Sequence, residues 1–299
     1  MYNLTMKKYS KYLFYRKWAI RVIFSIILSV LFATQLIKAE ENVDEAKSDT
    51  TSYNWERFSF ILGGFFTGLS SDMIIGVDQV GLGISLNLEE ALGLESTTLA
   101  FRSELEYNFG KRNRSSARIG YFGFYRNANK ILDSEIEIGD QIFPIGTKLT
   151  SRFDLTILKV NYDYSFFMDE RVKLSFTVGL FIMPISFSTS ALGLSDETVF
   201  FVAPLPVLGL RTGFAIAPKV FLKQSIEVLY LEISSFKGNI LDFNIKIEYN
   251  PWKHFGFGLG INAYRLNIIG VKNHNGLIDF NGSVKIGYTG LMFYGKLYF

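Results

Sequence analysis

The chain has 299 residues, no cysteine, a formal net charge of +3 and an aromatic content of 16%. The lack of cysteine excludes a disulfide framework, a thiolate nucleophile and a cysteine-ligated zinc site. Seven Lys or Arg and no Asp or Glu lie within residues 1–39, so the remainder has 24 basic and 28 acidic residues. This net charge of −4 disfavours nucleic acid as a partner.

The first 39 residues have the pattern of a secretory signal peptide. Basic residues lead into the apolar run 22–32, which is shorter than the roughly 20 residues that a spanning helix needs. Ile37-Lys38-Ala39 offers a cleavage site, so cleavage is predicted near Ala39; a retained amino-terminal anchor is the alternative. The polar, acidic residues 40–56 are predicted to form a flexible periplasmic lead-in.

Residues 57–299 are predicted to form one all-β domain, a transmembrane antiparallel up-and-down β-barrel of about ten strands, with 8 to 12 possible. Short polar turns alternate with long irregular stretches, as periplasmic turns and extracellular loops do in such barrels. The predicted turns are 110–115, 168–171, 217–219 and 250–254, and the predicted loops are 71–97, 127–147, 188–206, 234–239 and 268–276. Twelve strands would result if residues 71–88 formed their own membrane hairpin.

The predicted strands alternate between apolar and polar residues. In the segment 241–249 the odd positions are apolar or aromatic and the even positions are polar, which in a strand places them on opposite faces. In the segment 149–166 the alternation changes parity after Ile157, which predicts a β-bulge. The alternation in the final strand also changes parity, near Thr289, and the length of this strand predicts that its beginning rises above the membrane.

The polar positions of these strands are predicted to face the lumen, where charges of both signs form a polar network. About ten strands leave at most a narrow path, and buried charges require partners, so a cross-linked plug is favoured over a wide pore. The candidate network comprises Arg102, Glu104, Glu106, Lys159, Asp163, Lys223, Glu227, Asp242, Lys246 and Glu248.

Two further segments have patterns that predict local structure. Gly256, Gly258 and Gly260 are predicted to face inward, where packing relief is favoured over a solute site. The segment 86–94 is predicted to form a short helix at the barrel mouth. Asn87 can cap its first turn, which contains two glutamates, and Leu88 and Leu92 are four residues apart, so they lie on one helix face.

The segment 199–207 is unusually apolar for a loop in water. Three interpretations are open: it folds into the lumen, it continues a strand above the bilayer, or it meets a hydrophobic ligand. The third makes Phe200, Phe201, Pro204 and Pro206 a candidate gating loop of a channel for small hydrophobic molecules.

No catalytic, cofactor-binding or metal-binding residues are predicted. The sequence has two histidines: His254 lies in a predicted turn, and His274 lies in a predicted loop without a supporting nucleophile and acid. An outer-membrane lipid hydrolase is therefore the least favoured alternative, and the protein is predicted not to be an enzyme.

The last residues, 289–299, alternate and end on an aromatic, as the closing strand of an outer-membrane barrel does. Several phrases resemble those of uncharacterised, porin-like outer-membrane β-barrel proteins of Gram-negative bacteria. These phrases are at 88–94, 143–146, 152–155, 164–167, 203–210 and 251–253. The resemblance implies that the protein lies in the bacterial outer membrane and contacts its lipids. It also implies that the barrel assembly machinery recognises the closing strand through Phe299. It implies no substrate, and the ligand is unknown.

Overall fold

A computed structural model describes residues 55–75, 86–138, 141–192, 197–233, 236–270 and 282–299. Within these residues, ten long antiparallel strands form a closed barrel. The barrel strands are β1 (Phe58–Ile75), β3 (Thr97–Phe109), β4 (Ser115–Ile131), β7 (Lys148–Met168), β8 (Val172–Ala191), β9 (Glu197–Ala217), β10 (Val220–Ile233), β11 (Phe236–Tyr249), β12 (Phe255–Gly270) and β13 (Gly282–Tyr298). Three short strands are β2 (Leu86–Asn87), β5 (Ile136–Ile138) and β6 (Gln141–Phe143).

The barrel closes between its first and last strands, which pair from Ser59↔Tyr298 to Ile75↔Gly282. The short connections, including a single 3₁₀ turn at Lys111–Asn113, lie at the same end as Phe58 and Phe299, and we call this the turn end. The opposite end is the loop end. The predicted architecture and strand number are confirmed, and no helix of the described residues is long and apolar enough to cross a membrane.

Side chains alternate strictly between the lumen and the exterior, because successive residues of a strand point to opposite faces. In β11 the polar residues Asp242, Asn244, Lys246 and Glu248 are buried inside. Aromatic residues concentrate on the exterior near the turn end. This aromatic girdle comprises Tyr107, Tyr162, Tyr164, Phe166, Phe176, Tyr249, Trp252, Phe255 and Phe299, all of which are exposed.

The lumen has two layers of opposite chemistry. In β7 the odd-numbered residues from Leu149 to Ser165 face inward: those up to Ile157 are apolar except Ser151, and those from Lys159 onward are polar. The predicted β-bulge after Ile157 is therefore wrong, because the register with β8 is unchanged between Leu155 and Leu158. The sequence pattern inverts there because the barrel interior changes from apolar to charged while the exterior changes from polar to apolar.

The same inversion explains the change of parity near Thr289 in the sequence of the final strand. Val284, Ile286, Tyr288 and Met292 of β13 all face inward on a single parity. An actual irregularity in β7 lies nearer the turn end, where the pairing with β8 shifts between Ser165 and Phe167.

Strands β7, β8 and β9 have 20 or 21 residues, about twice the 9–11 residues that a tilted membrane strand needs. Exposed Lys148, Thr150 and Arg152 of β7 are polar, whereas the buried side chains of Leu149 and Phe153 are apolar. We infer that the loop-end halves of these strands form a wall that rises beyond the lipid and has an apolar core of its own.

The predicted loop 188–206 is mostly strand, which corrects the prediction. β8 extends to Ala191 and β9 begins at Glu197, and the two pair continuously from Thr189↔Glu197 to Val172↔Phe214. Phe201, Ala203, Leu205 and Val207 are buried among the apolar core. The segment is apolar because it is part of the wall.

The wall has a seam between β9 and β10. Their pairing ends at Leu208↔Val228, beyond which β9 pairs only with β8 and β10 pairs only with β11 in the described residues. Pro204 and Pro206 lie in this part of β9, which pairs with β8 but not with β10. Proline is tolerated at such an edge because it has no N–H to donate.

Candidate functional site

The centre of the charged layer is an ion cluster that joins opposite walls of the barrel. Arg118 of β4 donates from Nε to Asp163 Oδ2 at 2.8 Å and from Nη2 to Glu227 Oε1 of β10 at 3.2 Å. Lys159 of β7 contacts Asp242 of β11. Arg118 and Asp163 lie on neighbouring strands, whereas the contacts of Arg118 with Glu227 and of Lys159 with Asp242 join strands that are not neighbours. These two contacts cross the lumen and obstruct its middle.

Two more cross-lumen pairs originate from β3. Lys246 Nζ of β11 lies 3.2 Å from Glu104 Oε1, and Arg211 Nη2 of β9 lies 2.5 Å from Glu106 Oε2. Arg102 lies 3.5 Å from Glu104 Oε2 and 3.4 Å from Asn262 Oδ1. Because charged groups lose hydration on burial, such pairs need these direct contacts.

The third cluster forms the floor of the barrel at the turn end. Glu248 of β11 accepts from Lys223 Nζ at 2.8 Å and from Lys296 Nζ at 2.6 Å. Glu56, which precedes β1, folds into the barrel and contacts Lys296, with Lys223 3.6 Å away. Burial raises the pKa of Glu56, but the two ammonium groups outweigh it, so the pKa lies below its ordinary value.

All ten predicted lumen residues lie in this arrangement, which we call the lumen network. It also includes Glu56, Arg118, Lys173, Arg211 and Lys296, so that eight cations face seven anions. Arg118 and Arg211 were missed because they lie on predicted strands whose other inward residues are largely Gly, Ser or apolar. Glu56 was assigned to the flexible lead-in, and its position inside the barrel corrects that assignment; residues 40–54 lie outside the described residues.

An aromatic layer separates the network from the apolar layer above it. Phe65, Phe122, Phe124 and Tyr288 pack with ring centroids 4.5 to 5.5 Å apart. Tyr288 links the layers because its hydroxyl donates to Asn262 Oδ1 at 3.0 Å. Side chains therefore fill the lumen at three levels: the lumen network, the aromatic layer and the apolar layer above it.

The loop end carries the predicted short helix, α1 (Leu88–Leu92). Asn87 Oδ1 caps it by accepting from Glu90 N at 2.8 Å, and Leu88 and Leu92 are buried in the apolar core. Glu89 pairs with Arg126 of β4 at 2.6 Å. This contact anchors the helix on the inner face of the barrel.

The inward glycines of β12 give space to side chains of the strands on either side. A Cβ on Gly258 would lie 2.3 Å from the Tyr294 ring, and one on Gly256 would lie 2.3 Å from Asn250 Oδ1. The Tyr294 hydroxyl passes over this strand to donate to Glu248 Oε1 at 3.0 Å. The glycines thus serve packing, which was the favoured interpretation.

The candidate gating residues do not form a loop. Phe201 is buried in the core, whereas Phe200, Pro204 and Pro206 are exposed on the outer face of β9 beside the seam. Because the segment is held by continuous pairing with β8, it cannot act as a mobile gating loop.

His254 and Phe299 meet on the exterior of the turn end, with ring centroids 4.7 Å apart. The Phe299 carbonyl accepts from Phe58 N at 3.1 Å, so the terminal residue takes part in barrel closure. His274 lies outside the described residues. Among the described residues, no group of three or more acidic or histidine side chains is placed to hold a metal ion.

The remaining empty space in the described lumen is small. A cavity of about 10 Å³ lies within the network, and another of about 20 Å³ lies above Trp55 at the turn end. A single water molecule needs about 10–15 Å³. Neither of these two cavities is large enough to form a continuous aqueous path.

No protein-family model and no curated protein matches the chain. Among solved structures, the outer membrane protease OmpT from Escherichia coli is similar over 85% of this chain and 100% of that chain, with a TM-score of 0.51 and 8% identity. The transport unit of the autotransporter AIDA-I from Escherichia coli matches with a TM-score of 0.40 and 12% identity, over 90% of this chain and 97% of that chain. Ail of Yersinia pestis matches with a TM-score of 0.38 and 12% identity, over 82% of this chain and 99% of that chain. At these identities a likeness concerns the fold alone, and the first match supports the conclusion that this chain has the fold of an outer-membrane β-barrel protein.

Proposed function

We propose that this protein is a closed, non-enzymatic β-barrel of the bacterial outer membrane with a structural or surface role. The observation that carries the proposal is the lumen network, whose ion pairs join opposite walls. Its side chains come from eight of the ten barrel strands and from Glu56. Opening a path through them would separate buried charges, which costs about 3–5 kcal/mol for each partner left unpaired.

The exterior supports location in a membrane. Exposed apolar residues cover the turn-end half of the barrel, and the aromatic girdle lies where such residues meet lipid head groups. The outer positions of β7 in the loop-end wall, such as Lys148, Thr150 and Arg152, are polar instead. This arrangement favours lipids as partners around the lower half and leaves the wall and α1 outside the bilayer. The closing strand that ends at Phe299 is the proposed signal for the assembly machinery.

The test is single-channel conductance of the refolded protein in a planar lipid bilayer. We expect no discrete openings from the wild type, although the barrel should run faster on SDS gels unheated than heated. Arg118→Ser with Glu227→Ser removes a cross-lumen pair without changing net charge and should introduce small openings. The matched control, Arg152→Ser with Asp154→Ser, removes a pair on the exterior of β7 whose arginine is largely exposed and should stay silent. Frequent porin-like openings in the wild type would contradict a closed barrel.

A second candidate function, lateral passage of small apolar molecules, is favoured by the seam between β9 and β10. Phe200, Val202 and Tyr230 are exposed on its outer side. Leu205 reaches Gly238 of β11 on its inner side, where a Cβ would lie 3.5 Å from the leucine. The apolar layer of the lumen and the apolar exterior thus meet at a place where no backbone hydrogen bonds of the described residues join the strands.

This candidate predicts that bridging the seam reduces uptake of a small aromatic hydrocarbon into cells. Pro206→Cys and Tyr230→Cys can be joined by a short bismaleimide, because the natural chain has no cysteine. The uncrosslinked double variant is the control. Equal uptake before and after crosslinking would remove the second candidate and leave the closed barrel unaffected.

A further inference from the structure

Three cationic side chains converge at one place on the inner wall near the turn end. Lys173 of β8 and Lys223 of β10 are both register partners of Gly213 in β9, and Arg211 lies two residues from that glycine. Gly213 has no side chain to fill the space between them. A Cβ there would lie 3.0 Å from the ring of Trp55, which covers the site from the turn end.

Two of these cations have carboxylate partners. Lys223 pairs with Glu248 at 2.8 Å and Arg211 pairs with Glu106 at 2.5 Å. Lys173 differs, because its Nζ donates to the neutral amide oxygen of Asn108 at 2.7 Å. No carboxylate of the described residues forms an ion pair with it.

A second donor at the same place makes no hydrogen bond. Arg211 Nη1 is buried without a hydrogen-bond partner, although it forms a long ion pair with Asp163 Oδ2 at 3.5 Å. A buried N–H of a charged group that lacks an acceptor is costly, so such atoms are rare in folded proteins. The N–H of Arg211 Nη1 therefore retains the capacity to donate a hydrogen bond to an acceptor in the adjoining space.

The cavity of about 20 Å³ is located between these groups. Its charged lining consists of three cations and two carboxylates, so one positive charge is in excess: Lys173, Arg211, Lys223, Glu56 and Glu106. Gly213, Asn108 and Trp55 also line it. The space exceeds what one water needs and suits a monatomic anion. The lumen network as a whole has eight cations and seven anions, so one negative charge at this place would balance it.

We propose that this cavity is a binding site for a small monovalent inorganic anion of the halide class. Lys173 Nζ and Arg211 Nη1 donate to the anion, Lys223 adds positive potential, and Gly213 supplies the room. The anion reaches the site from the turn end, past Trp55. It supplies an acceptor for Arg211 Nη1 and neutralises Lys173, so the site is a structural one that stabilises the floor of the barrel.

The test uses bromide, which replaces chloride and scatters X-rays anomalously. Crystals of the refolded protein grown with sodium bromide should show an anomalous peak in the cavity, within hydrogen-bonding distance of Lys173 and Arg211. Lys173→Gln should remove that peak. Lys285→Gln, which changes an exposed lysine of β13, is the matched control and should retain it.

A second readout is the thermal unfolding of the barrel in detergent at constant ionic strength. Sodium bromide or chloride should raise the unfolding temperature relative to sodium gluconate for the wild type and for Lys285→Gln. Lys173→Gln should lose this dependence and bind bromide at least roughly tenfold more weakly. Constant ionic strength separates site binding from general screening.

Three results would overturn the proposal. Bromide peaks at surface lysines alone would indicate an adventitious ion only. An empty or water-filled cavity in the wild type would show that Asn108 satisfies Lys173 unaided. A cavity peak that persists in Lys173→Gln would show that this lysine does not create the site.

Discussion

Lys296 of β13 and Glu248 of β11 form an ion pair of 2.6 Å across the inner face of β12, and neither side chain is exposed. The pair is possible because Gly256 and Gly258 of β12 have no side chains between the two. It links three strands on one side of the barrel. Through Glu56, it also reaches the segment that precedes β1.

Removing the cation of this pair should be strongly destabilising. Lys296→Met leaves Glu248 and Glu56 buried with Lys223 as their remaining ammonium partner, so we expect a loss of about 3–5 kcal/mol in the free energy of unfolding. Urea unfolding in detergent measures it. Lys237→Met is the control: its pair with Glu232 is exposed and should contribute less than about 1 kcal/mol. Equal losses in both variants would contradict the central role of the buried pair.

Gly258 should not tolerate a methyl group. Gly258→Ala forces the Tyr294 ring to move from its contact with Glu248, and overpacking of this kind costs about 1–3 kcal/mol. Gly64→Ala on β1 is the matched variant, because its Cβ would lie an ordinary 3.5 Å from Leu99. The midpoints of urea unfolding compare the two. A midpoint for Gly258→Ala equal to that of Gly64→Ala would show that the β12 glycines are not required for packing.

Glu56 should make the floor of the barrel sensitive to acid. Its pKa is lower in the folded protein than the ordinary value of about 4.3, so its stabilising contribution is present above that value and is lost as the pH falls through the folded-state pKa. Glu56→Gln should therefore be less stable than the wild type at pH 7, and the difference should shrink towards pH 3. Unfolding temperatures from pH 7 to pH 3 test this. A pH-independent difference would show that the charge of Glu56 is not what stabilises the floor.

The seam should resist a direct disulfide. Extending the register from Leu208↔Val228 places residue 206 opposite residue 230, but without pairing their Cα atoms need not approach the 4.4–6.8 Å or so that a disulfide requires. Pro206→Cys with Tyr230→Cys should remain reduced under mild oxidation, whereas Leu208→Cys with Val228→Cys should crosslink. Non-reducing gels distinguish the two. Rapid crosslinking at 206 and 230 would mean that the strands pair fully in solution.

The sequence predicted the strand number, the closed antiparallel barrel and ten members of the lumen network because alternation of period 2 directly records which face is buried. It failed where the environment of each face changed along one strand. In β7 the inward residues switch from Ile157 to Lys159, and a pattern of polarity alone reads such a switch as a bulge.

The cross-lumen partners of the network could not be predicted from single strands. Arg118 and Glu227 are 109 residues apart in sequence, and their contact depends on barrel diameter and stagger. Glu56 has no strand pattern around it at all. The apolar segment 199–207 was ambiguous because a buried strand and an apolar loop have the same composition, and only pairing with β8 distinguishes them.

The ion pairs that cross the lumen also constrain the order of assembly. Glu104 on β3 meets Lys246 on β11, 142 residues later in the chain, so this contact cannot form on an open sheet of partly paired strands. Contacts of such long sequence separation slow folding. The charged side chains must stay hydrated until the first and last strands meet, and the same contacts then have to break before β1 and β13 can separate. We therefore expect slow closure and still slower reopening, so that the lifetime of the folded barrel depends on its polar interior.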